Sequence, residues 1–243
     1  MIGLSGGIDS SLAATLAVRA LGKAEVLGVL MPYGGGERGT AIEDATLVAG
    51  GLGMRTELVD IAPLVDAYFA REPQPTPLRR GNFMARQRMA ILFDRSMRDR
   101  ALVVGTSNKT ELLLGYGTLF GDLASALNPL GDLYKTQVRS VARFLALPER
   151  ILVKPPSAEL WPGQTDEDEL GFSYEQVDQA LYLLVDRRLT RPEIAEYGLD
   201  PEFVDRVAER IRGSQFKRRL PLIAKVSART IGLDFHYARD WGS

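Results

Sequence analysis

Three short apolar runs separated by two helical patterns fill the first 61 residues, and this alternation restricts the fold more than any other feature. Apolar runs bounded by glycine and polar residues predict buried strands, and apolar residues at helical spacing predict helices. A strand, a helix and a second strand in succession join parallel strands of one sheet. The alternation therefore predicts an α/β fold, a parallel sheet flanked by helices on both faces. The predicted strands cover residues 1–4, 25–31 and 56–61, and the helices cover 11–21 and 40–53.

The rest of the chain predicts one more strand and then mostly helices. Residues 101–105, ALVVG, predict a buried strand, and Asn82 is the predicted N-cap of a helix that runs to about Arg98. Proline-containing segments at 71–81 and 154–171 predict loops, the second long enough to be a functional flap. We expect a single domain over residues 1–243 with a helical C-terminal region. Its further helices are predicted near 109–114, over 136–147 and from 174 to about 219.

The first predicted strand leads into a glycine loop, GLSGGIDSS, that opens the first helix. Gly6 and Gly7 permit a sharp turn that exposes backbone N–H groups at a helix N-terminus, where the amides and the helix dipole favour phosphate. Asp9 would repel phosphate unless a divalent cation lay between them, and Mg²⁺ binds carboxylates together with substrate phosphates. The loop therefore predicts a site for ATP and Mg²⁺, with a plain strand-to-helix turn as the alternative.

A second glycine motif supports a competing interpretation. Residues 34–39, GGGERG, match the G-x-G-x-x-G fingerprint of dinucleotide-binding enzymes, and Asp60 follows about 20 residues later. A dehydrogenase is therefore an alternative, although this reading leaves the first glycine loop without a role. A Walker A loop is excluded, because the pair Gly22-Lys23 is followed by Ala24 rather than by serine or threonine.

Charge and residue usage argue against several partners and reaction types. A formal net charge of −1 provides no broad attraction for nucleic acid, so we expect no nucleic-acid partner. No apolar run reaches the roughly 18 residues of a membrane-spanning helix, so we expect a cytoplasmic protein that does not bind membranes. The sequence has no cysteine and one histidine, His236, which excludes a cysteine nucleophile and a histidine-rich zinc site.

The glycine loop and four later segments resemble known enzymes. SGGIDS, residues 5–10, resembles the SGGxDS loop of ATP-pyrophosphatases, which cleave ATP to AMP and pyrophosphate while they adenylate an acyl oxygen. Residues 81–89, 105–122, 128–138 and 154–171 resemble, in this order, segments of the NAD synthetase family. The resemblance covers most of the chain and implies a Rossmann-like ATP-pyrophosphatase fold. It also implies a ligase that amidates deamido-NAD to NAD with ATP and ammonia.

The resemblance also implies roles for individual residues. Asp9 and Glu111 match the ligands of Mg²⁺, and together with Lys135 and Lys217 they form the implied catalytic set. Arg86, Asp122 and Lys217 match positions that contact deamido-NAD. The implied ATP-binding residues are Gly3, Leu4, Ser5, Gly6, Gly7, Ile8, Asp9, Ser10, Thr106, Lys135 and Ser157.

The sequence departs from relatives at several points. Leu119 and Ala126 stand where some ammonia-dependent relatives have lysine and aspartate, so Asp122 is only a substitute contact for deamido-NAD. Separately, Phe216 replaces a histidine beside Lys217. Relatives also carry a helix before the first strand. Glutamine-dependent relatives add a domain with a cysteine nucleophile that releases ammonia. Because this chain has no cysteine, we expect free ammonia, or ammonia from a separate protein, as the nitrogen source and no glutaminase domain.

Two further alternatives stay open, and one partner is expected. Another ATP-pyrophosphatase, such as a tRNA-modifying enzyme or a different amide-forming ligase, shares the same glycine loop. A regulatory module that binds nucleotide without turnover could also have this glycine loop. The family further implies a homodimer, for which apolar residues on the helices after Glu43 and Asn82 are candidate contacts.

Overall fold

The computed structural model describes residues 1–34, 38–72, 74–157, 166, 171–219, 222–231 and 234, and its N-terminal part follows the predicted βαβαβ order. Strand β1 (Ile2–Gly3), helix α1 (Ile8–Leu21), strand β2 (Leu27–Leu30), helix α2 (Arg38–Leu52) and strand β3 (Arg55–Leu58) come in succession. The strands pair in parallel in the order β1-β2-β3, with Ile2 opposite Gly28 and Leu27 opposite Arg55. The predicted parallel sheet is confirmed.

The strand predicted over residues 101–105 does not form, although the segment lies beside β1. Val104 makes only isolated parallel bridges, to Ile2 on one side and to Leu127 on the other. The N–H of Val104 donates to the carbonyl of Met1 at 2.8 Å, and that of Gly105 donates to Leu127 at 2.7 Å. Leu102 is 67% exposed, so the apolar run that suggested a fully buried strand is buried only in part.

Helix α3 (Ala62–Phe69) is followed by α4 (Pro77–Asp99), which begins earlier than predicted. The predicted N-cap at Asn82 is wrong: the cap is Thr76, whose side chain accepts a hydrogen bond from the N–H of Arg79. Pro77 at the first helical position starts the helix without loss of an intrahelical hydrogen bond, so half of the predicted loop is helical. Asn82 lies inside α4 and accepts a hydrogen bond from Thr118.

The second half of the chain is helical, as predicted. Pro201 lies in the first turn of its helix, as does Pro192 in the helix before it. A short π-helical segment (Tyr182–Asp186) and 3-10 turns at Lys23–Glu25 and Gln215–Arg218 complete the described elements. Pro73, Trp161, His236 and most of the predicted flap lie outside the described residues. The remaining helices are α5 (Lys109–Leu114), α6 (Lys135–Phe144), α7 (Glu149–Leu152), α8 (Tyr174–Leu181), α9 (Arg191–Ala195) and α10 (Pro201–Gly213).

Helices cover both faces of the sheet. Successive residues of β2 point to opposite faces, and each face packs against a different set of helices. Leu30 packs in a core with residues of α1, α2 and α6, whereas Val29 packs in a second core with residues of α3 and α4. A third core joins α5 to α8 and α10 around the buried Tyr174. Within the described ranges, no helix combines the length and the apolarity that crossing a membrane requires.

Candidate active site

The loop between β1 and α1 has a geometry that only glycine permits. Gly6 has a φ of 80°, in the left-handed region that favours glycine. A Cβ at this position would lie 2.5 Å from the carbonyl oxygen of Ala41 and 2.9 Å from Cβ of Asp44, both on α2. The turn therefore presses directly against α2. Ser5 to Ser10 lie at the carboxyl end of β1, where ligands of open parallel sheets bind.

Serine hydroxyls hold the loop in this turn. The Ser5 hydroxyl accepts the N–H of Gly7 at 3.2 Å and lies 3.0 Å from the hydroxyl oxygen of Ser10. The hydroxyls of Ser10 and Ser11 both donate to the carbonyl of Gly7, at 3.1 and 2.8 Å. The first-turn amides of α1 have no partners within the helix and are available to an anion. The loop is thus held in a conformation that would suit a phosphate.

Asp9, Glu111 and Lys135 meet at one point although they come from three helices. Nζ of Lys135, at the start of α6, lies 2.5 Å from Oδ2 of Asp9 on α1 and 3.5 Å from Oε1 of Glu111 on α5. The side chain of Lys135 is 2% exposed, and those of Asp9 and Glu111 are 18% and 15% exposed. Three of the predicted catalytic residues therefore form a single buried cluster, which we call the acidic cluster: Asp9, Glu111 and Lys135.

Asn108 orients both carboxylates, and its role was missed in the sequence. Its Nδ2 donates to Oδ1 of Asp9 at 2.9 Å, while its own N–H donates to Oε2 of Glu111 at 3.1 Å. Oδ1 of Asn108 accepts the N–H of Glu111, which completes a capping box at the start of α5. The spacing N-x-x-E in the sequence is the signature of this box and could have indicated Asn108.

The electrostatics of the acidic cluster reflect a shortage of positive charge. Burial, and then the nearby charge of Asp9, raise the pKa of Glu111 to about 8, against the opposing effect of Lys135. Burial alone would lower the pKa of Lys135, but the charges of Asp9 and Glu111 more than offset burial and raise it. The lysine stays protonated, and one ammonium group serves two carboxylates. A further cation is therefore favoured at this point.

The donor set of the acidic cluster fits Mg²⁺. Oxygen ligands from one or two carboxylates, completed by substrate phosphates and water, are the usual coordination of this ion in ATP-using enzymes. The ammonium of Lys135 already lies between Asp9 and Glu111 as a stand-in cation. In the described part of the chain, no group of three or more histidine, aspartate or glutamate side chains is arranged to hold a metal. Water, or the phosphates of ATP when it is bound, would therefore complete the coordination that Asp9 and Glu111 begin.

Arg86, Asp122 and Lys217, the predicted dinucleotide contacts, surround the turn over residues 115–122. Nζ of Lys217 donates to the carbonyls of Gly115 and Gly117, at 2.7 and 2.8 Å. Asp122 accepts the N–H of Thr118 at 2.7 Å, and Nε of Arg86 donates to the carbonyl of Leu119 at 3.3 Å. Burial lowers the pKa of Lys217, while the charge of Asp122 opposes this shift. These residues form a second group beyond the C-terminus of α5.

The remaining predicted ATP contacts occupy compatible places. Thr106 follows Gly105, whose segment pairs with β1, so Thr106 lies at the same sheet edge as the glycine loop. Ser157 is half-buried at the end of the described range 74–157. Asp166 was not predicted: it is 4% exposed and accepts hydrogen bonds from the hydroxyls of Tyr116 and Tyr174, both at 2.9 Å.

The competing dinucleotide fingerprint receives no support from its acidic residue. Oδ1 of Asp60 accepts the N–H of Ala62 at 2.9 Å and that of Gly34 at 3.4 Å. These backbone contacts give Asp60 a structural role at the start of α3. Residues 35–37 of the fingerprint lie outside the described residues.

Comparisons with known sequences identify the family of this chain. A model of the NAD synthase family matches residues 1–221. The chain is 56% identical over 241 residues to a protein of Pelodictyon phaeoclathratiforme named NH(3)-dependent NAD(+) synthetase, with 99% of this chain and 87% of that protein covered. A protein of Chlorobaculum tepidum with the same name is 54% identical with the same coverage.

Solved structures give the same result. An NH3-dependent NAD synthetase from Campylobacter jejuni superposes with a TM-score of 0.77 at 37% identity, over 92% of this chain and 88% of that chain. An NMN synthetase from Francisella tularensis superposes with a TM-score of 0.80 at 33% identity, over 92% and 87%. A glutamine-dependent NAD+ synthetase from Acinetobacter baumannii reaches 0.64 at 29% identity, over 97% of this chain but 44% of that one. This protein belongs to the NAD synthase family.

Proposed function

We propose that this protein is an enzyme that amidates deamido-NAD to NAD in an ATP-dependent reaction, with free ammonia as the nitrogen source. The single observation that carries the proposal is the acidic cluster beside the glycine loop, where Lys135 lies 2.5 Å from Asp9. A phosphate cradle next to carboxylates and a lysine suits the activation of a carboxylic acid by ATP. The names of the full-length relatives supply the identity of the acid and of the nitrogen donor.

The reaction begins when the nicotinate carboxylate of deamido-NAD attacks the α-phosphorus of ATP. A C–O–P mixed anhydride forms and pyrophosphate leaves. The amides of the loop Ser5–Ser10 bind the phosphates, and Lys135 contributes a point charge to the departing pyrophosphate. Asp9 and Glu111 would hold Mg²⁺, which neutralises phosphate charge when bound. Because Asn108 fixes both carboxylates before the substrates arrive, Asp9 and Glu111 need little reorganisation.

The second step is the attack of ammonia on the acyl carbon of the adenylate. The new C–N bond forms as AMP leaves, and a proton is lost from nitrogen. Water would hydrolyse the same adenylate, so a buried site favours the amide product. We assign dinucleotide binding to Arg86, Asp122 and Lys217, and further ATP contacts to Thr106 and Ser157. No protein nucleophile is required in this scheme, in keeping with a sequence that lacks cysteine.

One product assay tests the proposal. The purified protein with deamido-NAD, ATP, MgCl2 and ammonium chloride should form NAD and AMP in equal amounts. Glutamine in place of ammonium should give little NAD, and equal use of glutamine would refute the assignment of ammonia. Nicotinate mononucleotide is the second acceptor to test, because the Francisella tularensis protein is named NMN synthetase. AMP release only with tRNA, or hydride transfer without ATP, would instead favour the rival functions.

Several properties accompany this function in our proposal. The chain acts as one catalytic domain over residues 1–243, works with Mg²⁺ in the cytoplasm, and forms a homodimer. Exposed apolar side chains on α2 and α4 support a dimer: Leu47 is 47%, Phe93 is 40% and Met97 is 83% exposed. Light scattering should give twice the mass of the chain. A monomeric mass would contradict the proposed dimer.

The metal and the location are tested separately. EDTA should abolish activity and MgCl2 should restore it, and a failure of MgCl2 to restore activity would contradict the assignment of Mg²⁺. Recovery of the protein in a cell fraction other than the cytoplasm would contradict the proposed location.

A further inference from the structure

A buried carboxylate behind the glycine loop has no role in the site described so far. Asp44, on α2, is 2% exposed. Its Oδ2 accepts a hydrogen bond from Nζ of Lys154 at 3.0 Å, and its Oδ1 lies 2.5 Å from Nε of Arg150. The contact with Arg150 is an ion pair only, because Oδ1 has no hydrogen-bond partner among the described residues. Burying such charges is costly unless they are well paired, so the arrangement needs an explanation.

Asp44 contacts the glycine loop directly. A Cβ built on Gly6 would lie 2.9 Å from Cβ of Asp44 and 2.5 Å from the carbonyl oxygen of Ala41, one turn earlier on α2. The turn at Gly6 therefore packs against α2 with no intervening space. A displacement of Asp44 would change the surface on which the phosphate cradle rests.

Lys154 connects Asp44 to another part of the predicted ATP site. It lies 110 positions from Asp44 in the sequence and three residues before Ser157, the predicted ATP contact. Between them, the carbonyl of Pro156 accepts the N–H of Asp166, whose carboxylate is bound by two tyrosine hydroxyls. The segment 154–157 is thus attached at its start by Asp44 and near its end by Asp166.

We propose that Asp44 is a positioning residue for ATP. Through Lys154 its carboxylate fixes the segment 154–157 relative to the turn at Gly6, so that two distant parts of the chain keep the spacing that the nucleotide requires. Without this ion pair, the segment 154–157 must become ordered when ATP binds, and the cost of that ordering weakens ATP binding. Binding of deamido-NAD is unaffected. The inference rests on the proposed function, because it assumes that the glycine loop and Ser157 bind ATP.

A double-mutant cycle on Asp44 and Lys154 tests the proposal. Asp44→Asn, Lys154→Met and the double variant are compared with the wild type in NAD formation from ammonia, and in binding of a non-hydrolysable ATP analogue by calorimetry. Each single variant should raise KM for ATP roughly tenfold, with KM for deamido-NAD changed by less than about twofold. The double variant should resemble the single ones, because one interaction is removed in all three.

Glu43→Gln is the matched control, because Glu43 is the neighbour of Asp44 on α2 and pairs with the same Arg150 at 3.0 Å but is 61% exposed in its side chain. It should leave KM for ATP unchanged. If Asp44→Asn does not fold, Lys154→Met and Lys154→Gln carry the test alone. Effects that multiply in the double variant, or an equal rise of both KM values, would overturn the proposal. Absence of NAD formation by the wild type would instead refute the proposed function.

Discussion

Replacement of Lys135 by methionine should destabilise the protein and make its stability respond to magnesium. The variant keeps the length of the side chain but removes the ammonium that lies 2.5 Å from Asp9 and 3.5 Å from Glu111. Removing one partner of a buried ion pair costs about 3–5 kcal/mol, because the other charge is left uncompensated. Glu111, whose pKa is raised to about 8, is already largely protonated at neutral pH, so Asp9 is the main charge that is left unpaired. We therefore expect a loss near the lower limit, about 3 kcal/mol.

Thermal unfolding without nucleotide measures this effect. For a chain of this size, a loss of about 3 kcal/mol lowers Tm by roughly 6–12 °C. Mg²⁺ at about a hundred times its Kd would return about 2.7 kcal/mol to the variant. In the wild type the ion must first displace the ammonium of Lys135, so the same MgCl2 concentration should raise Tm by much less.

Lys225→Met is the matched control. Lys225 also pairs with an aspartate, Asp234 at 2.6 Å, but its side chain is 44% exposed. A surface pair contributes about 0–1 kcal/mol, and its loss should create no response to magnesium. The reasoning about the acidic cluster is refuted if Lys135→Met unfolds at the wild-type temperature, or if MgCl2 stabilises both proteins equally.

Three further predictions concern the loop, a buried carboxylate and the dinucleotide. Gly6→Ala should abolish measurable ATP binding in calorimetry, because the added Cβ would lie 2.5 Å from the carbonyl oxygen of Ala41. Gly22→Ala is the control: Gly22 has a φ of 89° with no atom within 4 Å of an added Cβ, so this variant should only lower Tm. Equal ATP affinities of the two variants would contradict the prediction. Burial raises the pKa of Asp178 in the folded protein. The stability of the wild type relative to Asp178→Asn should therefore be greatest below the unfolded-state pKa of about 4, and should fall as pH rises through the folded-state pKa. Urea midpoints that differ by a constant amount across pH would exclude this. Lys217→Met should raise KM for deamido-NAD roughly tenfold and not KM for ATP, and steady-state kinetics showing the reverse would reassign Lys217.

Local patterns predicted the first three strands and the two helices between them, did not predict α3, and failed elsewhere where burial or capping was misjudged. The parallel order of β1, β2 and β3 follows from alternating strand and helix patterns, each contained in a short stretch of sequence. At 101–105 the apolar run was interpreted as a fully buried strand, but Leu102 is largely exposed and the segment makes only bridges. At Thr76 and Pro77 the signals for a helix start were present, yet Asn82 was preferred as the cap.

The candidate site divides in the same way. The sequence by itself predicted the glycine turn, which depends on residues a few positions apart. The capping box of Asn108 and Glu111 is equally local and carries the signal N-x-x-E, but it was not predicted. The sequence could not determine that Lys135 lies against Asp9, since 126 positions separate them and their contact exists only because α1 packs on α6. The pairing of Asp44 with Lys154, across 110 positions, is of the same kind. Tertiary structure alone decided these contacts, because burial sets the strength of a charge pair and burial depends on how the helices pack.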